Sequence, residues 1–268
     1  MSLTVGGVTL GEGRPKIIVP VYADREEVAV NRAALLGDSA ADLAELRLDP
    51  LREPEDVLPD VAALRRTIRR VRSALAPRIP LLVTLRTKAE GGDREVTPDQ
   101  YGELLRGLLP AAYSFQLLDI EYRTAGGAMT RLCRGAQEAG LTVVGSMHEF
   151  FRTPPEDDMA LALCTMGDAG ADIAKLAVMP DSRVDAAALL AATARAHAIR
   201  PTLPLITMAM GAHGAVTRVC GGAFGSCATF GTAGTASAPG QPDADALRAA
   251  LDALDACQIG RASCRERV

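Results

Sequence analysis

The sequence predicts a (β/α)₈ barrel, and three observations lead to that prediction. Short apolar segments typical of strands alternate with helical segments from residue 16 onward, at intervals of about 30 residues, the size of one strand–helix unit. The apolar segments are almost uninterrupted, as expected for parallel strands that are covered on both faces. The chain has 268 residues, a size typical of one such barrel.

Eight segments are predicted to form the strands of the barrel. They begin at Lys16, Ala41, Ile79, Phe115, Leu141, Ala171, Leu203 and Cys227. The segment VGGVTLGEG, which precedes the first strand, is predicted to form a short β-hairpin that closes the bottom of the barrel. An open, doubly wound sheet is the alternative, but no G-x-G-x-x-G motif follows the first strand.

The segments between the strands have helical periodicity. Leu64, Ile68, Val71 and Leu75 recur at spacings of three and four residues, which places them on one face of a helix. Several arginines lie between them. We interpret these arginines as a solvent-exposed face and not as a nucleic-acid site, because the net charge of the chain is −4.

Composition excludes several classes of protein. Apolar residues make up 48% of the chain and charged residues 23%, so a large core can form. No apolar segment approaches the length that crosses a bilayer, and the N-terminus lacks the features of a signal peptide. The six cysteines have no spacing typical of a disulfide framework or a metal site. We therefore expect a cytoplasmic protein with reduced thiols that binds neither membrane nor nucleic acid.

Charged or titratable residues interrupt five of the predicted strands at or near their C-terminal ends. That end of a (β/α)₈ barrel is where active sites are built, and residues two apart in a strand share a face. The pattern therefore predicts an active site formed by side chains from neighbouring strands. These residues are Glu45, Arg47, Arg86, Asp119, Glu121, His148 and Lys175.

Lys175 lies in the middle of the apolar segment ADIAKLAVMP. One interpretation is a lysine whose stem is buried while its amine reaches water. Ile173 and Ala177 would share its face, however, and would direct the amine into the barrel, where desolvation and neighbouring cations disfavour the ammonium form. A neutral amine beside an acid–base group such as His148 can form an imine with a carbonyl compound. We therefore predict that Lys175 is a nucleophile.

Eight motifs between Pro15 and about residue 256 carry a family resemblance: ELRLD, TLRTKAEGG, DIEY, SMHEFFRTP, AKLAVMP, ITMAMG, FGSCATFG and ASAPGQ. Together they resemble the type I 3-dehydroquinate dehydratase family, the Schiff-base lyases of the shikimate pathway. The resemblance implies conversion of 3-dehydroquinate to 3-dehydroshikimate and water, the third step of chorismate and aromatic amino-acid biosynthesis. It also implies one catalytic domain over residues 1–257, a homodimer, and no metal or cofactor.

The resemblance further implies roles for individual residues. Lys175 would form the imine, His148 would act as general base and acid, and Glu90 would orient and polarise His148. Arg218 would bind the substrate carboxylate, and Glu45, Arg47 and Arg86 would hold the ring hydroxyls. Ser237 and Gln241 would close over the substrate.

Two alternatives share parts of this pattern. A class I aldolase on the same fold would also use Lys175, but it would need a phosphate site after the last two strands. A non-catalytic barrel that serves as a binding or scaffold module is the second alternative. The presence of Lys175, His148 and Glu90 together argues against it.

The end of the chain departs from the pattern. The last helix is expected to end near Ala256, and the segment CQIGRASCRERV that follows has no apolar periodicity. Its last eleven residues resemble one reading frame of a widely used sequencing adapter. We therefore expect residues 258–268 to be a non-native tail without function.

Overall fold

The strands of the barrel follow one another in space in the same order as in the chain. The computed structural model describes residues 2–51, 60–234 and 240–265, with side chains to residue 257. A two-stranded antiparallel hairpin comes first, formed by β1 (Leu3–Val5) and β2 (Val8–Leu10). The parallel strands are then β3 (Lys16–Val21), β4 (Leu43–Arg47), β5 (Leu81–Thr84), β6 (Leu117–Glu121), β7 (Thr142–Glu149), β8 (Ile173–Val178), β9 (Leu205–Ala209) and β10 (Ala228–Phe230).

The parallel sheet closes into a barrel. Each strand from β3 to β8 pairs with the next strand in the chain, and β10 pairs with β3. At the remaining junction, the backbone N–H of Cys227 donates to the carbonyl of Leu205 at 2.7 Å, and Leu205 forms a parallel bridge with Ser226. The predicted (β/α)₈ barrel is therefore confirmed.

Helices alternate with the strands and cover the outside of the barrel. In the predicted stripe, Leu64, Ile68, Val71 and Leu75 are all buried, as the periodicity indicated. Capping boxes begin two of the helices, at Thr97 and at Ser182. The helices are α1 (Glu26–Leu35), α2 (Val61–Ala74), α3 (Pro98–Leu108), α4 (Tyr122–Ala125), α5 (Met129–Glu138), α6 (Glu156–Asp168), α7 (Arg183–Ile199), α8 (Gly211–Cys220) and α9 (Ala244–Arg265).

The hairpin closes the bottom of the barrel, as predicted. Gly6 and Gly7 both have positive φ angles, 55° and 83°, which suits a two-residue turn of type I′. A Cβ atom on Gly6 would lie 2.8 Å from Pro80, which directly precedes β5. Val5 and Leu10 join the apolar cluster inside the barrel. The hairpin thus contributes to the apolar interior of the barrel.

The last helix is longer than expected. Helix α9 ends at Arg265 and not near Ala256. The expected end relied on the loss of apolar periodicity, but the backbone can remain helical where no proline interrupts it and residues such as Gln, Arg and Ala favour the helix. That residues 258–268 are foreign to the protein remains a prediction. Within the described ranges, no helix combines the length and the apolar character needed to cross a membrane.

Candidate active site

The predicted site residues meet in one cavity at the C-terminal end of the barrel. Of the nine residues to which the family resemblance assigns roles, eight line this cavity, and the ninth, Ser237, lies outside the described residues. They come from β4, β7, β8, helix α8 and the loops that follow β5 and β10, so only the closure of the barrel brings them together. Within the part of the chain that is described, no group of three or more His, Cys, Asp and Glu side chains is arranged to hold a metal ion.

Lys175 is buried at the centre of the site, with 3% of its surface exposed. Its Nζ atom lies 3.5 Å from Glu45 Oε1 and 3.5 Å from Asp119 Oδ2, and 4.6 Å from the centre of the Phe230 ring. The sequence correctly placed the amine inside the barrel. Its nearest charged neighbours, however, are carboxylates and not the cations that the sequence suggested.

His148 and Glu90 form a close pair on the rim of the cavity. Glu90 Oε2 lies 3.0 Å from His148 Nδ1 and accepts the backbone N–H of His148 at 3.1 Å. Glu90 ends a short 3₁₀ turn after β5, and Gly91 follows with a φ of 79°. A Cβ atom on Gly91 would overlap the ring of Phe150, so glycine allows this turn to pack directly against the end of β7.

Burial shifts the pKa values of Glu90 and His148 in opposite directions. Desolvation raises the pKa of Glu90 to about 8, although the Arg86 guanidinium opposes the shift. Desolvation, together with the positive charges of Arg86, Lys175 and Arg47, lowers the pKa of His148 well below its ordinary value of 6.5. Both shifts favour the uncharged form, so the protonated acid and the neutral imidazole are favoured together over a carboxylate–imidazolium ion pair.

Arg86 is the centre of a buried network of carboxylates. Its Nη2 atom donates to both oxygens of Asp119 at 2.9 Å, and its Nη1 atom donates to Glu121 at 3.0 Å. Nη1 also lies 3.3 Å from Glu90 Oε2. Burial alone would lower the pKa of Arg86, but these three carboxylates raise it well above its ordinary value. Arg86 therefore remains charged and holds the floor of the site together.

Arg47 and Arg218 are the other two guanidinium groups at the cavity. Arg47 donates to Asp49 through Nε and Nη2, at 2.7 and 2.6 Å. Arg218 belongs to α8 and is 2% exposed, and its Nη1 atom donates to the carbonyl of Phe230 at 3.4 Å. Desolvation lowers the pKa of Arg218 to about 10, because burial penalises the charged form.

The described end of the last loop reaches the same cavity. Gly240 has a φ of 74°, and a Cβ atom there would lie 2.6 Å from the carbonyl oxygen of Gly211. The loop therefore packs closely against the start of α8. This contact places Gln241, which follows Gly240 and lines the cavity, on the side of the site where Arg218 lies.

Several residues of the site escaped the sequence-based selection. Asp119 was among the charged residues at the strand ends but received no role from the family resemblance, although its Oδ2 atom lies 3.5 Å from Lys175 Nζ. Ser146 donates to Asp119 Oδ1 at 2.7 Å, and Thr84 donates to Glu45 Oε1 at 2.9 Å. Position along the segment could have revealed both hydroxyls. Thr84 lies two residues before Arg86 and Ser146 lies two residues before His148, so each lies on the same face of its segment as a selected residue.

A lysine buried between carboxylates, next to a histidine–carboxylate pair at the C-terminal end of the strands, defines a (β/α)₈-barrel enzyme with a built acid–base site. Comparison with known proteins assigns its family. The sequence model of the type I 3-dehydroquinases matches residues 17–257, and the chain belongs to this family.

Individual relatives agree with this assignment. A 3-dehydroquinate dehydratase of Neisseria gonorrhoeae is 40% identical over 254 residues, which cover 95% of this chain and 97% of the relative. The crystal structure of the type I 3-dehydroquinate dehydratase of Clostridium difficile, with covalently modified comenic acid, superposes with a TM-score of 0.89. It has 32% identity, and the match covers 96% of this chain and 99% of the other. The structure of the Geobacillus kaustophilus 3-dehydroquinate dehydratase also superposes with a TM-score of 0.89. It has 31% identity, and the match covers 96% of this chain and 97% of the other.

Proposed function

We propose that the chain is a lyase that converts 3-dehydroquinate to 3-dehydroshikimate and water through an imine at Lys175. One observation carries this proposal. The buried Lys175 amine and the His148–Glu90 pair line the same cavity. The names of the relatives supply the substrate, and the covalently modified ligand of the Clostridium difficile relative supports covalent chemistry in the family.

The first part of the proposed reaction forms the imine. The neutral amine of Lys175 attacks the ketone carbon, so a C–N bond forms and the ketone oxygen takes one amine proton. His148 takes up a proton for this step and delivers it to this oxygen, which then leaves as water. The iminium that remains is an electron sink, because loss of a proton from the adjacent carbon gives a neutral enamine and not a costly enolate.

The second part eliminates the hydroxyl. His148, now neutral, removes the proton next to the iminium. The enamine electrons then expel the hydroxyl from the following carbon, and this hydroxyl takes the proton back from His148 and leaves as water. Addition of water to the product iminium returns Lys175 and releases the ketone. Glu90 orients His148 through the contacts to its ring and its backbone.

The substrate would be held by charged and polar groups around Lys175. Arg218 would bind the carboxylate through its guanidinium fork, with Gln241 and Ser237 closing from the last loop. Glu45, Arg47 and Arg86 would bind the ring hydroxyls. For Arg86 this role is combined with a structural one, because its Nη1 and Nη2 atoms already donate to Asp119 and Glu121.

The domain extent, the oligomeric state, the metabolic role and the location of the protein complete the proposal. We propose a single catalytic domain over residues 1–257, a homodimer, and the third step of chorismate biosynthesis as its place in metabolism. In the part of the chain whose side chains are described, the cysteines are free thiols: Cys133, Cys164, Cys220, Cys227 and Cys257. This supports a reducing compartment such as the cytoplasm.

Trapping of the imine tests the proposed function. The enzyme is incubated with 3-dehydroquinate and borohydride, digested, and analysed by mass spectrometry. The mass of the reduced ligand is expected on the peptide that contains Lys175. A Lys175→Arg variant should give neither adduct nor turnover, because a guanidinium stays protonated. The exposed Lys88 provides the matched control, since the Lys88→Arg variant should still form the reduced adduct at Lys175. An adduct on Lys88 or Lys16, or none at all, would overturn the proposal.

A further inference from the structure

The two carboxylates beside Lys175 do not contact the amine as closely as an ion pair allows. Charge-assisted bonds between an ammonium and a carboxylate typically measure about 2.7–2.9 Å, whereas both carboxylate oxygens lie 3.5 Å from Nζ. All three side chains are buried, so solvent does not compete for these contacts. Something else must set the positions of Glu45 and Asp119.

A hydroxyl group binds each carboxylate more closely than the amine does. Thr84 donates to the same oxygen of Glu45 that faces Nζ, at 2.9 Å. Ser146 donates to Asp119 Oδ1 at 2.7 Å. Asp119 has a second anchor, because Arg86 Nη2 binds both of its oxygens at 2.9 Å. Thr84 is therefore the main restraint on Glu45 among the hydrogen bonds described, whereas Asp119 has two restraints.

The position of Thr84 follows from the register of the barrel. It is the last residue of β5 and pairs with Arg47 of the neighbouring strand. Leu82, two residues earlier, belongs to the apolar cluster inside the barrel, so Thr84 faces inward as well. Its side chain is fully buried, which fixes the hydroxyl beside Glu45.

We propose that Thr84 is a positioning residue that holds Glu45 away from the Lys175 amine and so keeps this amine available for attack. The inference rests on the proposed function of Lys175 as the nucleophile. Without the Thr84 hydroxyl, Glu45 is free to move toward Nζ and to form a closer ion pair. Coulomb's law with an effective dielectric constant of about 20 makes a contraction to about 2.8 Å strengthen the ion pair enough to slow attack by the amine roughly seven-fold.

The test compares variants at a fixed pH by the rate of borohydride trapping at Lys175 with 3-dehydroquinate. Thr84→Val keeps the shape of the side chain and removes the hydroxyl, and its trapping should slow about seven-fold. Thr84→Ser keeps the hydroxyl and should restore trapping to near the wild-type rate. Ser146→Ala should slow trapping less than two-fold, because Arg86 still holds Asp119.

A matched control separates positioning from the loss of any buried hydroxyl. Thr193 and Thr207 share a hydrogen bond of 2.8 Å outside the site, and both are buried. Thr193→Val should lower the melting temperature but leave trapping unchanged. Wild-type trapping in Thr84→Val, or equally slow trapping in Thr84→Ser and Thr84→Val, would overturn the inference.

A crystal structure of Thr84→Val gives a second readout that does not depend on catalysis. The distance between Glu45 and Lys175 Nζ should shorten from 3.5 Å to about 2.7–2.9 Å. An unchanged distance overturns the inference even where the wild-type enzyme traps normally. If the wild-type enzyme forms no adduct but the distance in the variant shortens, the proposed function fails and the role of Thr84 in positioning Glu45 stands.

Discussion

Glu90 contacts His148 twice through the same oxygen atom, at 3.0 Å from the ring Nδ1 and at 3.1 Å from the backbone nitrogen. The first contact fixes the orientation of the ring, and the second ties Glu90 to the strand that carries the ring. Because the shifted pKa values favour the uncharged forms of both residues, this contact resembles a hydrogen bond between neutral groups more than an ion pair.

The raised pKa of Glu90 makes stability depend on pH. Its ordinary value is 4.5 and its value in the folded protein is about 8, so folding favours the protonated form. The resulting stabilisation is present below pH 4.5 and is lost as the pH rises toward 8. Glu90→Gln cannot ionise, and we expect its free energy of unfolding relative to the wild type to rise by on the order of 1–3 kcal/mol between about pH 5 and pH 9.

Urea unfolding at a series of pH values measures this difference. Glu103→Gln, the same substitution at an exposed position of α3, is the control variant. A Glu90→Gln difference that stays constant from acid to alkaline pH would contradict the prediction.

His148→Ala should separate turnover from covalent capture. The lysine can attack a carbonyl slowly without help, but each later step moves a proton, and an acid–base group contributes about 10²- to 10⁴-fold to such a step. We expect turnover to fall by that factor while an imine at Lys175 still forms and accumulates. Mass spectrometry of the unreduced and the borohydride-reduced protein measures the imine. His197→Ala, at an exposed position in the last turn of α7, should behave like the wild type.

The lowered pKa of His148 also predicts the pH profile. A base works in its neutral form, so wild-type activity should be retained below pH 6.5, the ordinary value for histidine, and should fall only in more acidic solution. If His148→Ala kept near-native turnover, Glu90 would become the candidate general base.

Arg218→Ala should mainly weaken substrate binding. Removal of one partner from a desolvated ion pair costs about 2–5 kcal/mol, so KM should rise strongly while kcat changes less. Arg218→Lys keeps the charge but loses the fork and should recover only part of the affinity. Steady-state kinetics of the two variants measure the effect. An unchanged KM in Arg218→Ala would assign the carboxylate to Arg86 or Arg47.

Arg86→Met should destabilise the fold. It leaves Asp119, Glu121 and Glu90 buried without their shared cation, a change that costs about 3–5 kcal/mol. The loss should diminish in acid, where the carboxylates can be protonated. Arg66 provides the contrast, because its ion pair with Glu26 is at the surface and Arg66→Ala should cost about 1 kcal/mol or less. Urea unfolding measures the loss of unfolding free energy in the two variants. Equal losses would show that the buried network around Arg86 contributes no more to stability than a surface ion pair.

The sequence by itself determined the barrel and the location of the site. Uninterrupted apolar strands at regular intervals allow few folds other than a parallel barrel, and charged residues at the ends of those strands can only meet at one end of it. Pattern alone therefore selected Lys175, His148, Arg86, Glu45 and Arg47 as candidate site residues, because strand parity is a local property of the chain.

Tertiary structure decided which groups contact one another. Thr84 and Glu45 are 39 residues apart and Ser146 and Asp119 are 27 apart, so their hydrogen bonds depend on the register between neighbouring strands, which no local pattern encodes. For the same reason, the sequence suggested cations around Lys175, whereas the folded chain places Glu45 and Asp119 there. The charge state of a buried group depends on burial and on its neighbours in space, and both exist only once the barrel has closed.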